Sequence, residues 1–353
     1  MAALRALRYR LLRGNYPYVT ARVKAKKPKL LRKDDYLKLV QSSPADIARS
    51  LQEGHYKREV DELAAKYRGA TLVEMATRLN LSRSYTDVAA YATGELQRLI
   101  QLYLQRYDVY NIKTVLRGKL SGARDEEIES QLIPAGTLKA EELAQLARLG
   151  QADEVIERLS KTLYGPLLRD GLEGGRRENL AKVENDLDKL YYRTLIRAIN
   201  PTSEPKRAFL NFVRLEADVL DLKTILRLRA GGVEDATQFL VDPEGGALDG
   251  ALATRLMRAA PDEFVHEVEA LPFGAHLAPA LTLYFQDKDL NKVVLALDKA
   301  LLADAQGFSR RYPLSLLPVV DFILRKKVEV ENLRIIAAGK EHGLSDDTIR
   351  GLL

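Results

Sequence analysis

Apolar positions recur at helical spacing along most of this chain. In "YDVYNIKTVLRGK" (107–119), Val109, Ile112, Val115 and Leu116 fall three, four and seven residues apart and line one helix face. Val219, Leu222, Ile225 and Leu226 do the same in "EADVLDLKTILRLR", from Glu216, and a third version, "KVEVENLRIIAAGK", starts at Lys327. Alternating apolar and polar runs are few, there is no Asn-Gly hairpin, and helix formers dominate. The pattern predicts an all-α protein.

The three versions hold register. Anchored on Asn111, Asp221 and Asn332 they lie 110 and 111 residues apart. An acid precedes each anchor by three (Asp108, Asp218, Glu329), and a cation follows by eight (Lys119, Arg229, Lys340). A glycine follows by eleven (Gly122, Gly232, Gly343) and an aspartate by fourteen (Asp125, Asp235, Asp346). The cation suits the negative end of a helix, the glycine a left-handed turn beyond it, and the aspartate the start of the next helix, so each copy reads as helix, glycine turn, helix. A second triplet comprises "SPADIARSLQEGHY" (43–56), "QADEVIERLSKTLY" (151–164) and "APDEFVHEVEALPF" (260–273), and aligns Tyr56, Tyr164 and Phe273. In the first of these Ser43 is placed to cap a helix, with Pro44 in its first turn and Asp46 at its positive end. A partial echo maps Lys182, Leu187, Asp188 and Lys189 onto Lys292, Leu297, Asp298 and Lys299, with no counterpart evident in the first copy. The period divides the chain into a basic extension, 1–14, and three homologous helical domains of about 110 residues, 15–132, 133–242 and 243–353. The interruptions "IPAGTL" (133–138) and "VDPEGGAL" (241–248) fall at the junctions.

Composition removes several chemistries. The 353 residues include no cysteine, which excludes disulfides and thiolate metal sites, and the four histidines form no i,i+4 pair. The apolar run at 312–324 is broken by proline and Asp321 and is too short to span a bilayer, and the arginine-threaded start does not read as a secretory signal. The net charge of +6 is local: residues 1–33 carry eleven Lys or Arg and no acid, whereas the rest sums to 44 minus 49, or −5. Arg22, Lys24, Lys26, Lys27 and Lys29 therefore make a candidate contact for an acidic or phosphate-bearing surface. Asp218 with Asp221 looks like a carboxylate pair, but Asn111 and Asn332 stand at the Asp221 position in the other copies, so the position reads as a helix-to-helix hydrogen bond. "RGKL" (117–120) and "AGKE" (338–341) lack the other residues of a phosphate loop, "GLEGGRREN" (171–179) fails the dinucleotide pattern, and the glycines read as turns. No cofactor is expected.

The segment "YPYVTARVKAKKPKLL" (16–31), with the first and third copies of the long repeat, resembles the C subunit of archaeal-type and bacterial V-type ATP synthases, the counterpart of the d subunit of the eukaryotic vacuolar proton pump. Arg22, Val23, Lys24 and Lys29 keep the family pattern, while Thr20, Lys26 and Pro28 stand where it has Asn, Met and Ser. The resemblance implies a non-catalytic rotor part at the cytoplasmic face of the membrane. Its three helical domains would form a pseudo-threefold funnel seated on the membrane rotor ring and receiving the central-shaft subunits. On that reading Arg22, Lys24, Lys26, Lys27 and Lys29 meet the ring or the anionic lipid around it. The alternative is an α-helical nucleic-acid-binding protein using the basic start. No recognised module supports it and the remaining chain is net acidic, so nucleic acid is not an expected partner. An enzyme with a site between domains is the third reading, and no nucleophile-base pairing is visible for it.

Overall fold

The computed structural model describes residues 14–172, 179–241 and 244–353, so the expected extension 1–14 lies, except for Gly14, outside the described residues. Every regular element among the described residues is helical. Local chemistry sets the ends of these helices. Ser43 caps the helix Pro44–Glu53 by accepting the Asp46 N–H at 3.2 Å, and Pro44 lies in its first turn, where no amide is needed. Asp249 caps Gly250–Arg258 through the Leu252 N–H at 2.8 Å.

The three copies of the long repeat form helices Arg106–Ser121, Glu204–Ala230 and Leu317–Glu341, here the anchor helices. Past them Gly122, Gly232 and Gly343 take φ of +74°, +71° and +72°. In each case the next N–H reaches back to the carbonyl five residues earlier, from Ala123 to Gly118, Val233 to Leu228 and Leu344 to Gly339, all at 2.9 Å. This is the hydrogen-bonded left-handed stop that glycine adopts without a Cβ penalty.

By contacts the described chain divides into two compact units, one of residues 14–104, 133–139 and 318–353, the other of 105–132 and 140–317. In the first unit, Leu333, Ile336 and Ala337 of the third anchor helix share a core with Ile47, Leu51, Tyr56, Val60 and Val73. In the second unit, Leu222, Ile225 and Leu226 share one with Leu252, Phe264, Val268, Phe273 and Leu297. There too the first anchor helix packs against Ala140–Arg148 and Ala152–Leu159. One rule covers all three: the apolar stripe one, four and five residues past each anchor is buried, and it packs on the short helices of the following copy, the third anchor helix taking those of the first. The repeat cuts at 132/133 and 242/243 therefore fall between each anchor helix and the helices that receive it. The physical reason is that an isolated amphipathic helix must bury its stripe on a neighbour, and the short amphipathic helices of another copy present the complementary apolar face.

Candidate functional site

The acid three residues before each anchor is a buried tie between one copy and the next. Asp108, Asp218 and Glu329 are 0%, 2% and 1% exposed. Glu329 accepts the Leu31 N–H at 2.6 Å, the Lys326 ammonium at 2.6 Å and the Tyr56 hydroxyl, with His55 Nε2 3.3 Å away. Burial pushes this carboxyl up. Hydrogen bonds from His55, Lys326 and Tyr56, together with the Lys326 charge, outweigh that effect and hold its pKa at about 2. Asp108 faces the Tyr164 hydroxyl at 3.3 Å, and Asp218 accepts the Ala247 and Leu248 N–H groups at 2.8 and 3.3 Å. Thus two separately repeated signals, the acid and the aromatic of the second triplet, meet across copies. Where Phe273 lacks a hydroxyl, backbone N–H groups fill the acid.

At the anchors themselves Asn111 and Asp221 are fully buried and Asn332 is half-buried. Asp221 accepts the Val241 N–H at 2.7 Å, and Asn332 hydrogen-bonds Tyr36. Two residues further on, Lys113 pairs with Asp188 and Lys223 with Asp298, each at 2.5 Å, and Arg334 pairs with Glu74 at 3.0 Å. The sequence echo around Asp188 and Asp298 thus has its first-copy counterpart at Glu74, on the helix Gly69–Tyr91. Sequence reasoning missed it because only charge is kept there: the Leu-Asp-Lys wording is absent and a glutamate replaces the aspartate. The signal that would find it is the cation two past the anchor.

The cations eight past the anchor stand in the last turns of the anchor helices, as expected, and their side chains reach beyond those helices. Lys119 and Lys340 do not cap their own carbonyls but bridge to Asp125 and Asp346 at 2.7 and 2.9 Å, tying the anchor helix to the helix after the glycine turn. Arg229 instead donates to the carbonyls of Leu256 and, at 3.0 Å, Ala259, capping the helix Gly250–Arg258. Asp235 turns to the Thr237 N–H and hydroxyl at 2.8 and 2.7 Å, and only a 3-10 turn, Thr237–Phe239, follows it. The helix-turn-helix reading therefore describes the first and third copies, where Asp125 and Asp346 open helices, and not the second, whose continuation "TQFLVDPEGG" is poor in helix formers.

The same contrast corrects the reading of Gly118 and Gly339 as turn residues. Both lie inside anchor helices, and a Cβ on Gly118 would stand 2.4 Å from Ile128 Cγ1, one on Gly339 2.9 Å from Ile349 Cγ1. They are contact glycines for the helix that folds back. The second copy, without that helix, has Leu228 at this position.

The basic segment forms the helix Tyr16–Lys26 and the turn Lys27–Lys29. Lys27 pairs with Asp321, which is 1% exposed and also takes Arg325 at 2.7 Å, and Lys26 pairs with Asp87 at 3.0 Å. The Arg22 guanidinium lies 4.6 Å from the Tyr91 ring centroid. Lys24 and Lys29 are exposed and without a partner among the described residues. Arg22, Lys26 and Lys29 line a cleft of about 360 Å³ together with Asn80, Ser84 and Lys326.

Two observations decide the relationship. The profile of the ATP synthase (C/AC39) subunit family matches residues 19–352, and the relatives are similar over almost their whole length. The chain is 39% identical to the C subunit of the A-type ATP synthase of Methanosarcina acetivorans, over 96% of this chain and 93% of that protein. It is 36% identical to the protein of the same name from Haloferax volcanii (96% and 97%) and 32% identical to that of Archaeoglobus fulgidus (97% and 96%). The chain belongs to the ATP synthase (C/AC39) subunit family. In this family member no helix among the described residues is long and apolar enough to cross a membrane, and none of its described His, Asp or Glu clusters is arranged to hold a metal ion. What the family member presents instead is a repeated set of buried ties and one basic cleft.

Proposed function

We propose that the chain is the non-catalytic central-stalk subunit that links the shaft of an A- or V-type ATP synthase to its membrane rotor ring. In this role it transmits torque between ATP synthesis or hydrolysis and proton or sodium transport. Near-full-length similarity to proteins named as the C subunit of A-type ATP synthases supports the reading. Three similar helical domains, 15–132, 133–242 and 243–353, would stand about a pseudo-threefold axis as a funnel, peripheral to the cytoplasmic face of the membrane, with Arg22, Lys24, Lys26, Lys27 and Lys29 toward the ring or its lipid.

The observation that carries the proposal is the tie made by Asp108, Asp218 and Glu329. Each anchor helix belongs to one copy and is held by buried polar contacts to the next, so twisting any copy strains bonds that have no water to replace them. A torque link needs that stiffness. The test is purification of the complex from native membranes under mild detergent. Shaft and ring subunits are expected to accompany the chain in fixed ratio, and recovery of the chain alone from intact complexes overturns the proposal.

A further inference from the structure

The start of the helix Glu204–Ala230 gathers more positive charge than helix chemistry requires. The Tyr312 hydroxyl donates to Glu204 at 2.8 Å and so joins it to the end of the helix Leu290–Arg311, while the short link 199–203 joins it to the end of Leu180–Ala198. These helix ends, all in the second unit, carry Arg193, Arg197, Lys206, Arg207, Arg310 and Arg311, with Glu204 as the acid among them. Arg193, Arg197 and Arg310 are exposed and without a partner among the described residues, and Glu204 is already engaged by Tyr312. Arg197, Arg310 and Arg311 stand in last turns, where a cation offsets the negative helix end. Lys206 and Arg207 have no such reason. They stand in the first turn of Glu204–Ala230, at its positive end, where a cation is disfavoured.

A second observation comes from Leu314, in the loop that follows Arg311. At 63% it is the most exposed large apolar side chain among the described residues. A single exposed leucine is ordinary, but the turn that presents this one is fixed. Ser315, 5% exposed, donates to the Tyr312 carbonyl at 2.7 Å and accepts the Leu317 N–H at 3.2 Å, and Leu316 and Leu317 are buried behind it. The loop therefore holds a leucine at a set point beside the arginines and next to exposed Pro313.

We propose that this end of the second unit docks on an anionic lipid surface. Arginines from separate helix ends spread their charge over an area rather than converging on one group, which fits headgroups that move laterally to meet them. Leu314 and Pro313 reach the acyl boundary beneath those headgroups. An acidic protein would need a carboxylate opposite each arginine and also a pocket for Leu314, whereas a bilayer offers both at every position. The surface lies in a different unit from residues 22–29, and the inference does not rest on the rotor reading.

The chain contains no tryptophan, so Leu314→Trp places a single fluorophore at the tip of the loop. With phosphatidylcholine vesicles containing phosphatidylglycerol, its emission is expected to move to shorter wavelength and to be quenched by brominated acyl chains. Phosphatidylcholine alone should produce neither change. Adding Arg193→Gln, Arg197→Gln and Arg310→Gln, at exposed side chains, should weaken vesicle binding about a hundredfold, from about fivefold per cation, and flatten its salt dependence with the circular dichroism unchanged. Emission unmoved by the anionic vesicles overturns the proposal even if the chain pellets with them, since residues 22–29 would then be the contact. An equal shift on phosphatidylcholine alone, full affinity in the arginine variant, or a shift as strong with polyglutamate, which would assign the surface to an acidic protein, overturns it too. Because the measurement uses the chain and lipid alone, its failure leaves the rotor reading standing, and a failed co-purification leaves the fluorescence result standing.

Discussion

Glu329 shows how one side chain concentrates the energetics of a tie. Its carboxylate is buried with Lys326, whose ammonium also lies 4.1 Å from the Tyr56 ring centroid, so removing its charge leaves a buried cation without its counter-ion. Glu329→Gln is expected to cost about 3–5 kcal/mol at neutral pH, read from denaturant unfolding, whereas Tyr56→Phe, which removes a hydroxyl bonded to two charged groups, should cost about 1.5–3 kcal/mol. The pH dependence has a defined sign. With the folded pKa at about 2 against an ordinary 4.5, the folded state binds fewer protons, so this contribution is fully present above pH 4.5 and fades as the pH falls toward 2. Its size is at most roughly 3 kcal/mol. Unfolding free energy measured across that window should fall less steeply in Glu329→Gln than in the wild type. Equal slopes would mean that the carboxylate is not the group being protonated.

At the scale of elements, the folded-back helices Asp125–Gln131 and Asp346–Gly351 depend on a glycine beneath them. Gly118→Val drives a branched side chain into Ile128, and Gly339→Val into Ile349. Each should destabilise by about 1–3 kcal/mol, with the larger effect at Gly118, where the approach is closer. A double-mutant cycle supplies the check: Gly118→Ala combined with Ile128→Ala should cost less than the sum of the single changes, because the second removes the atoms that the first strikes. Strict additivity would place the strain elsewhere. These glycines stand in "RGKL" and "AGKE", which lack the other residues of a phosphate loop and for that reason read as turns. Their reason appears only with Ile128 and Ile349 lying over them.

At the scale of the whole molecule, the packing offset makes the first copy dependent on the last. Leu333, Ile336, Ala337 and Ile349 complete the core around Ile47 and Tyr56. Deleting residues 318–353 should therefore expose amides of residues 44–91 to rapid hydrogen exchange, while those of 250–311 in the other unit keep their protection. Equal loss in both segments would contradict the division. The basic segment allows a cleaner charge test than wholesale reversal, since reversing Lys27 would set a like charge against buried Asp321. Lys24→Glu with Lys29→Glu changes only cations lacking a described partner. It is expected to weaken reassembly onto salt-stripped membranes and to flatten its salt dependence, with stability unchanged. Unaltered reassembly across a salt titration would remove the seating role.

The helical class, the three-copy register and the glycine stops at Gly122, Gly232 and Gly343 are legible in the amino-acid order, because periodicity and left-handed turns are local properties written in neighbouring residues. That order also marks Asp108, Asp218 and Glu329 as a set. What they hold follows from the packed chain: Tyr164 for Asp108, the Ala247 and Leu248 amides for Asp218, and Tyr56 and Leu31 for Glu329. The same is true of Glu74 with Arg334 and of the cleft joining Arg22 to Lys326. The partners lie as many as 298 residues apart along the chain, and a contact at that separation leaves no spacing to read. It is chosen by which apolar stripe finds which groove, and the polar ties form where that burial puts them.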